Sequence, residues 1–353
     1  MSSKVLMKGN EAIAEAAIRC GCRYFFGYPI TPQTEVSEYF AKKMPKVDGL
    51  CLQAESEVAA INMTMGAAAS GVRVITSSSS PGIALKSEGI SYIAGCDLPC
   101  VIVNVQRASP GLGGIQPSQQ DYYQATRGVG HGDLRLLVFA PSSVQEMAQL
   151  TAEAFDLADL YRMPAMILAD GALGQMMEPV DFGAIPTREL PPKDWAACGH
   201  ENKRERNVVN SLYIDPPVLE KIIHERYARY AKAEAEETRY EEYMTEDADI
   251  VLVAFGITAR VCRSAVVAAR AEGLKVGILR PITLWPFPKG AISDIAARTK
   301  AILTVEMSMG QMVDDVRLAV NGKCPVEFYG RTGGIIPTPD AVLAKLREMH
   351  AQL

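Results

Sequence analysis

The feature that most constrains the fold of this chain is a series of short, almost continuously apolar runs separated by longer stretches with helical periodicity. A run such as Val101-Ile-Val-Asn-Val105 offers no polar face to water, which is typical of a strand covered on both sides by helices. In the first half, strands are predicted at 24–28, 50–53, 72–77, 100–106, 135–140 and 165–169. Helices are predicted between them at 10–19, 31–43, 56–70 and 142–160. This alternation predicts an α/β domain built on a doubly wound, mainly parallel sheet.

The second half repeats the alternation on a smaller scale. Strands are predicted there at 250–255, 276–280, 301–305 and 326–329, and helices at 259–271, 310–320 and 339–349. The intervening sequence differs, since 186–207 is rich in proline and charge and 216–246 has the pattern of a charged, largely solvated helix. We therefore expect two α/β domains, at 1–185 and 249–353, joined by a charged helical linker at 186–248.

Charge and hydropathy exclude several kinds of partner. The chain carries 36 basic and 41 acidic residues, a net charge of -5, and no basic stripe that would follow a phosphate backbone, so no nucleic-acid partner is expected. No apolar run approaches the roughly 20 residues needed to span a bilayer. The start of the chain, Met1–Gly9, lacks the apolar core of a secretory signal. We expect a cytoplasmic enzyme or enzyme subunit with no membrane partner.

Metal and nucleotide motifs are incomplete. The eight cysteines are scattered, and neither Cys20-x-Cys22 nor Cys96-x3-Cys100 completes the four-ligand spacing of an iron–sulfur or zinc site. Gly111-Leu-Gly113-Gly114 lacks the third glycine of a dinucleotide loop, and Gly82-Ile-Ala-Leu-Lys86-Ser87 lacks the glycine before the lysine of a phosphate loop. No metal site is predicted in this chain, and the electron carrier of any redox reaction is expected on another chain.

Polar side chains follow three of the predicted strands. The segments are Gly27-Tyr-Pro-Ile-Thr-Pro32, Gln53-Ala-Glu-Ser-Glu-Val-Ala-Ala60 and Asn104-Val-Gln-Arg107. Because ligands of doubly wound sheets bind beyond the carboxyl ends of the strands, we expect these segments to converge on one crevice.

Each segment also has a purely structural interpretation. Thr31 is placed to cap the following helix, an acid in the helical turn after Gln53 complements the helix dipole, and Arg107 can pair with one of the chain's own acids. Against this, an arginine at a strand end offers a fork that matches a carboxylate. A carboxyl group in an apolar helical segment is costly unless it has a dedicated partner. The residues alone leave both interpretations open.

At these residues the chain resembles the 2-oxoacid:ferredoxin oxidoreductases, which depend on thiamine diphosphate. The matching elements are Lys8-Gly-Asn-Glu-Ala12, Gly27–Pro32, Gln53–Glu57 with Gly66 and Gly71, Val105-Gln-Arg107, Leu279-Arg-Pro-Ile-Thr-Leu-Trp-Pro-Phe-Pro288 and Val305-Glu-Met-Ser-Met-Gly-Gln311. The resemblance covers essentially the whole chain and is to an α subunit. It implies a thiamine diphosphate pyrimidine-binding domain followed by a transketolase C-terminal-like domain.

The resemblance also implies roles for particular residues. In the family, the acid that contacts the cofactor pyrimidine lies nine residues before a glycine, a spacing that Glu57 has and Glu55 does not. Glu57 is therefore the implied catalytic and cofactor-binding acid, with Glu55 as the fallback. Thr31 and Arg107 match positions that hold the 2-oxoacid substrate, and Pro29 matches one that lines the cofactor.

The family's activity implies partner chains. Its members carry out coenzyme A-dependent oxidative decarboxylation of a 2-oxoacid to an acyl-CoA and carbon dioxide, with reduction of ferredoxin. The Gly-Asp-Gly…Asn element that holds the diphosphate and Mg²⁺ is not matched here, since Ala169-Asp-Gly-Ala172 with Asn202 is a poor imitation. The resemblance therefore implies a β subunit carrying the diphosphate and Mg²⁺ site, a γ subunit, and a ferredoxin-like subunit bearing iron–sulfur clusters.

The substrate is the least constrained part of this interpretation. The loops Pro110–Gln119 and Gly128–Asp133 look most like those of members acting on branched-chain acids such as 2-oxoisovalerate. A 2-oxoglutarate enzyme needs a further cation for the distal carboxylate, and Arg127 and His131 lie in this region, so that substrate is an alternative. A second alternative is a non-catalytic structural or dimerisation subunit that retains the fold.

Overall fold

The computed structural model describes residues 4–185 and 188–353, and its strands form three sheets. The strands are β1 Val5–Lys8, β2 Tyr24–Gly27, β3 Leu50–Gln53, β4 Val74–Ser78, β5 Val101–Gln106, β6 Leu137–Phe139, β7 Ala165–Asp170, β8 Met177–Val180, β9 Tyr240–Tyr243, β10 Ile250–Val253, β11 Val276–Pro281, β12 Thr283–Trp285, β13 Ala301–Glu306 and β14 Val326–Gly330. The helices are α1 Gly9–Arg19, α2 Thr34–Lys43, α3 Glu57–Ala69, α4 Pro81–Gly95, α5 Val144–Tyr161, α6 Gly171–Gln175, α7 Pro216–Glu237, α8 Gly256–Ala271, α9 Lys289–Ala296, α10 Met312–Val320 and α11 Pro339–His350, with short turns at Met44–Lys46, Gln124–Gly128 and Phe182–Ala184. Among these described residues, no helix combines the length and the apolar character needed to cross a membrane.

The first sheet has the strand order β12-β6-β7-β5-β4-β2-β3. Strands β2 to β7 run parallel, with Tyr24 opposite Leu50 and Val101 opposite Ala165. Parallel neighbours require crossover connections, and helices supply most of them here. Strand β12, from the second half of the chain, joins the edge of this sheet antiparallel to β6.

Both faces of the first sheet are covered by helices. Along β5, Val101, Val103 and Val105 belong to an apolar cluster with α1 and α5, whereas Ile102 belongs to a second cluster with α3 and α4. Successive side chains of a strand point to opposite faces of a sheet, so a continuous apolar run is what burial on both faces requires. The predicted fold class, α/β with doubly wound and mainly parallel sheets, is confirmed.

The second sheet has the order β14-β13-β10-β11-β9, in which only β9 is antiparallel to its neighbour. Helices α8 and α11 pack with one of its faces. Residues of α9 and α10 lie with the other face in the same apolar cluster that contains α3 and α4 of the first half. The two α/β units therefore share a continuous core.

A buried glutamine fixes the junction between the two units. The side chain of Gln119 donates to the carbonyl oxygen of Phe255 at 2.8 Å and accepts from Thr258 Oγ1 at 2.7 Å and from the Met307 backbone N–H at 3.1 Å. A buried amide whose partners are all satisfied holds one orientation. The loop that follows β5 is therefore fixed against the second sheet.

Several elements depart from the sequence prediction. The pattern misses α4, α6, α9, β1, β8, β9 and β12. The stretch 216–246 is helical only as far as Glu237, and its last part forms β9, whose Tyr-Glu-Glu-Tyr sequence resembles a charged helix end. Helix α7 is also less solvated than predicted, since its buried Arg226 forms an ion pair of 2.8 Å with Asp97.

The predicted domain boundaries stay predictions. The first falls between residues 185 and 186, and residues 186 and 187 lie outside the described part of the chain. Two strands cross the expected division, because β9 of the linker joins the second sheet and β12 of the last segment joins the first.

Candidate active site

The loop after β2 is held by a buried glutamine. The loop contains a cis peptide bond between Thr31 and Pro32. Gln33, at its end, is fully buried and accepts a hydrogen bond of 2.6 Å from Ser77 Oγ in β4. This contact ties the loop to the neighbouring strand and leaves Pro29 and Thr31 exposed.

Thr31 does not cap α2. The helix begins at Thr34, and Gln33 occupies the N-cap position without a side-chain cap hydrogen bond. The carbonyl oxygen of Thr31 instead accepts a hydrogen bond of 3.0 Å from Arg107 Nη1. The cap interpretation of Thr31 is therefore wrong, and the residue lies directly beside Arg107.

Arg107, which follows β5, is a buried cation without a carboxylate partner. It is 6% exposed, and its Nη2 donates to the carbonyl oxygen of Leu112 at 3.2 Å. Its Nε is buried and has no hydrogen-bond partner in the described part of the chain. No acid among residues 4–185 and 188–353 forms an ion pair with it, so the structural interpretation of Arg107 is wrong. A buried guanidinium held in place with an unused N–H group is suited to an incoming carboxylate.

A polar network of Ser80, Asn104 and Asp121 holds the backbone of Arg107 in place. The Ser80 hydroxyl accepts from the Arg107 backbone N–H at 3.0 Å and donates to Asp121 at 2.6 Å. Asn104 donates to Asp121 at 2.9 Å and accepts from the Ser80 backbone N–H at 3.0 Å. Burial raises the pKa of Asp121, and the hydrogen bonds from Ser80 and Asn104 offset part of that rise. The network fixes the end of β5 against the start of α4.

Glu57 and Glu55 occupy different environments. Glu57 is the first residue of α3 and is only 6% exposed, whereas Glu55 is exposed. Ser56 caps the helix, since its hydroxyl accepts from the Ala59 backbone N–H at 3.2 Å. The carboxylate of Glu57 thus complements the helix dipole, as the structural interpretation held, but it does so from a buried position. Of the two acids, only Glu57 points away from bulk water.

A glycine gives the Glu57 carboxylate its position. A methyl group at Gly82, in the first turn of α4, would lie 2.7 Å from Glu57 Oε1 and 2.0 Å from Ser78 Oγ. The carboxylate therefore rests against the helix backbone, where a side chain would displace it. In the part of the chain that the structure describes, no group donates a hydrogen bond to this carboxylate.

The site residues lie at consecutive strand ends of the first sheet. The order β5-β4-β2-β3 places Arg107, the serines after β4, Thr31 and Glu57 at one edge. Arg107 and Thr31 are in direct contact, and Pro29 lines a cavity of about 270 Å³ that also touches Gln53. A second cavity, of about 390 Å³, lies at the start of α4. The three segments thus end at one edge of the sheet, and their convergence on one crevice stays a prediction.

The residues present fit the pyrimidine half of thiamine diphosphate. A buried carboxylate that lacks a donor suits a ring nitrogen that carries a proton, because the hydrogen bond offsets the cost of burying the charge. The exposed Pro29 and the nearby cavity supply an apolar contact surface. Glu57 and Pro29 are the residues that would hold this group.

The Asp170–Gly171 pair is not an Mg²⁺ site. Asp170 is buried and caps α6, accepting from the backbone N–H groups of Ala172 at 2.9 Å and Leu173 at 3.1 Å. Burial raises its pKa to about 6. Its proposed companion Asn202 is exposed in the segment after residue 188. Within the described ranges, no three His, Cys, Asp or Glu side chains are grouped as a metal ion would require.

Seven of the eight cysteines are at least partly buried, and Cys198 is exposed. All eight are free. Burial raises the pKa of Cys20, Cys22 and Cys100 to about 12 and that of Cys51 to about 11. Since the thiolate is the nucleophile and the metal ligand, these side chains are inert at neutral pH.

Sequence reasoning missed the contribution of α4. Gly82, Ser80 and Lys86 all lie at or near its start, and none was assigned a role. The signal was the run Ser77–Ser80, which is polar and fully or almost fully buried between two apolar segments. Buried hydroxyls at a strand end need partners, and that requirement pointed to a polar network there.

Family models match nearly the whole chain. Residues 15–250 match the thiamine diphosphate-binding domain of the pyruvate flavodoxin/ferredoxin oxidoreductases. Residues 248–342 match core domain II of pyruvate:ferredoxin oxidoreductase. The fold and site are thus those of a thiamine diphosphate-binding enzyme chain, and the predicted cofactor is confirmed.

Relatives are similar along their full length. The chain is 50% identical over 344 residues to ketoisovalerate oxidoreductase subunit VorB of Methanothermobacter thermautotrophicus, covering 98% of this chain and 97% of that one. It is 35% identical over 381 residues to 2-oxoglutarate synthase subunit KorA of the same organism, covering 99% and 100%. The chain belongs to the 2-oxoacid:ferredoxin oxidoreductase family, as predicted. It is a subunit of such an oxidoreductase, so it works with partner chains.

Solved structures agree with this assignment. The 2-oxoglutarate:ferredoxin oxidoreductase from Magnetococcus marinus, with 2-oxoglutarate, coenzyme A and succinyl-CoA bound, has a TM-score of 0.85 and 26% identity. The alignment covers 98% of this chain and 65% of that one, so the present chain spans about two thirds of its length. A split-gene transketolase, an inactive β4 tetramer, has a TM-score of 0.59 at 15% identity over 96% of this chain and 95% of that one, a likeness of fold alone.

The Gly82 contact yields a first prediction. Gly82→Ala should push the Glu57 carboxylate from its place, because the added methyl group would lie 2.7 Å from Oε1. A misplacement of about 1 Å costs about 100-fold in rate, so we expect a loss of that order in 2-oxoacid-dependent reduction of a viologen dye by the assembled enzyme. Gly290→Ala in α9, where the added methyl meets nothing within 4 Å, is the matched control and should keep full activity. Wild-type turnover in Gly82→Ala would contradict the contact.

Proposed function

We propose that this chain is the α subunit of a coenzyme A-dependent branched-chain 2-oxoacid:ferredoxin oxidoreductase and supplies the pyrimidine-activating half of its active site. The observation that carries the proposal is the buried Glu57 carboxylate after β3, at the same edge of the sheet as the buried Arg107 guanidinium, which pairs with no carboxylate among the described residues. A non-catalytic subunit has no need of either buried charge, each of which is costly to maintain. We place this activity in the cytoplasm.

Glu57 is the proposed catalytic residue. Thiamine diphosphate, when bound, supplies the electron sink for loss of carbon dioxide from a 2-oxoacid. The Glu57 carboxylate would accept a hydrogen bond from the pyrimidine ring nitrogen and would hold the proton there. Its place against the α4 backbone at Gly82 excludes water from one side of the carboxylate, which strengthens that hydrogen bond.

Arg107 and Thr31 are the proposed substrate-binding residues. The guanidinium is oriented by the carbonyl oxygens of Thr31 and Leu112, and its remaining N–H groups are available to the substrate carboxylate. Because these two acceptors are backbone carbonyl groups, the Arg107 guanidinium keeps its orientation when the substrate leaves. The Thr31 side chain, exposed beside it, provides a hydroxyl for the 2-oxo group.

A branched aliphatic substrate suits the surroundings better than 2-oxoglutarate. Arg127, the candidate cation for a distal carboxylate, is already paired with Asp315 at 2.5 Å. The loop that accepts from Arg107 carries Leu112 and Ile115, which are 84% and 58% exposed. The higher identity to the relatives named for ketoisovalerate than to those named for 2-oxoglutarate supports the same choice.

A partner chain is proposed to cover the α3–α4 pair and bring the diphosphate and Mg²⁺ half of the site. Glu57 is the only charged residue of α3, and α4 has only Lys86 and Glu88. Helices that are apolar on every side are normally buried, yet Val58 and Leu85 are 47% and 56% exposed. The expected γ subunit and ferredoxin-like cluster subunit complete the electron path to ferredoxin, with coenzyme A as acyl acceptor.

The role of Glu57 is tested with the neighbouring acid as control. Glu57→Gln should leave the complex assembled and lower 2-oxoacid-dependent reduction of ferredoxin or a viologen dye by at least about 100-fold, a typical loss for a general acid–base group. Glu55→Gln, two residues away but exposed, should keep wild-type turnover. Normal turnover in Glu57→Gln, or an equal loss in Glu55→Gln, would eliminate the proposed role.

The substrate assignment is tested with a 2-oxoacid series. The assembled enzyme should use 2-oxoisovalerate and other branched acids with a higher kcat/KM than 2-oxoglutarate. Arg107→Ala should raise KM about 10- to 100-fold for every acid in the series, since a hydrogen bond to a charged group contributes about 1.5–3 kcal/mol. An unchanged KM would remove Arg107 from the site, and a preference for 2-oxoglutarate would overturn the substrate proposal.

The partner surface is tested by charge insertion. Leu85→Arg should raise the dissociation constant for the partner chain about 30-fold or more, the effect of losing about 2 kcal/mol at an interface anchor. Val267→Arg on α8, whose exposed face already carries arginines, is the control with comparable exposure and should assemble normally. Sedimentation of the mixed chains measures both, and unimpaired assembly of Leu85→Arg would exclude α4 from the interface.

A further inference from the structure

A fully buried lysine lies on α4, the helix against which the proposed catalytic acid packs. Lys86, in the second turn of α4, is 0% exposed. Its Nζ donates to Thr76 Oγ1 at 2.5 Å and to the carbonyl oxygen of Ser77 at 3.1 Å, both in β4. Thr76 Oγ1 donates in turn to the carbonyl oxygen of Phe26, at the end of β2. The side chain is therefore held between the strands that carry the site, without access to solvent.

Helix geometry relates Lys86 to Glu57. Lys86 lies four residues after Gly82, so both are on one face of α4. Side chains of a helix lean toward its N-terminus, which directs Lys86 toward the turn against which the Glu57 carboxylate rests. The two groups interact through their charges but do not form a direct ion pair among the described residues. The Glu57 carboxylate thus keeps its hydrogen-bonding capacity while the positive charge of Lys86 stabilises its ionised form.

A buried ammonium at this place is otherwise unfavourable. Burial lowers the pKa of Lys86 to about 7, and the amino-terminal end of a helix repels a cation. Two titratable groups face Lys86 from neighbouring elements, Glu57 on α3 and the thiol of Cys100 before β5, and both favour its charged form. The pKa of Cys100 is about 12, so this thiol is neutral over the working range. Glu57 is therefore the counter-charge.

We propose that Lys86 is a positioning residue that holds the Glu57 carboxylate ionised and ready for the cofactor ring nitrogen. The proposal rests on the proposed role of Glu57 and deepens it. Below about pH 7 Lys86 is protonated, so its positive charge acts on the Glu57 carboxylate in that range. Above that pH Lys86 loses its proton and with it this charge, so its effect is confined to the acid side of the pH range.

The proposal is tested with Lys86→Met and Lys86→Gln in the assembled enzyme. Glutamine keeps a hydrogen-bond donor for Thr76 and loses the charge, so it separates charge from packing. In both variants the acid limb of the kcat/KM–pH profile should move up by about 1 to 3 pH units, the effect of an opposite charge near a carboxylate. Activity lost at low pH should return as the pH is raised. Lys42→Met, which removes an exposed lysine of α2, should give the wild-type profile.

A binding readout accompanies the rate profile. The affinity of the cofactor-stripped enzyme for thiamine diphosphate, followed by fluorescence at fixed Mg²⁺, should fall at least about tenfold at low pH in both Lys86 variants and recover at high pH. A loss of rate or affinity that is equal at every pH would overturn the proposal, since a merely structural lysine shifts no titration. An acid limb retained in Glu57→Gln would instead refute the role of Glu57 itself. The two failures are thus distinguishable.

Discussion

The contact between the Glu57 carboxylate and the backbone of α4 at Gly82 sets the geometry of the whole site. A charge placed there is shielded from water on one side, and any side chain at position 82 would displace it. The small and apolar residues of α3 and α4 follow from the same requirement, because the two helices must approach closely while carrying few competing charges. An acid in this position keeps its hydrogen-bonding capacity for a ligand, because its surroundings offer it so few partners.

The polar residues around this contact form a connected layer at the carboxyl ends of four adjacent strands. Serines at the end of β4 and directly after it link the loop after β2, through Gln33, to the end of β5, through Asn104 and Arg107. Gln119 then links the loop after β5 to the second sheet. The C-terminal half of the chain therefore contacts the loop that follows Arg107, although it carries none of the predicted site residues.

The sequence alone was sufficient to predict those parts of the molecule that follow from hydrophobic periodicity or from a specific motif. Apolar runs such as Val101–Val105 predicted the sheets, and the spacing after Glu57 distinguished it from Glu55, which the structure leaves exposed. Interactions between distant segments were beyond such reasoning. Neither the clash at Gly82 nor the burial of Lys86 depends on neighbours in sequence, and β12 joins a sheet whose other strands lie more than 100 residues earlier. The cap interpretation of Thr31 failed because α2 begins only at Thr34, a boundary that the sequence around Thr31 does not mark.

The charges of the site are incompletely compensated within the chain, and this has a thermodynamic consequence. Arg107 has a buried N–H without a partner, and Glu57 has a buried carboxylate without a donor. Each costs stability in the isolated chain. In the proposed function, a substrate carboxylate and a protonated ring nitrogen would offset these costs only in the folded state, which would link ligand binding to folding. The same residues that make the isolated chain less stable would then make it selective, since a ligand lacking either group would leave one buried polar group without its hydrogen-bond partner.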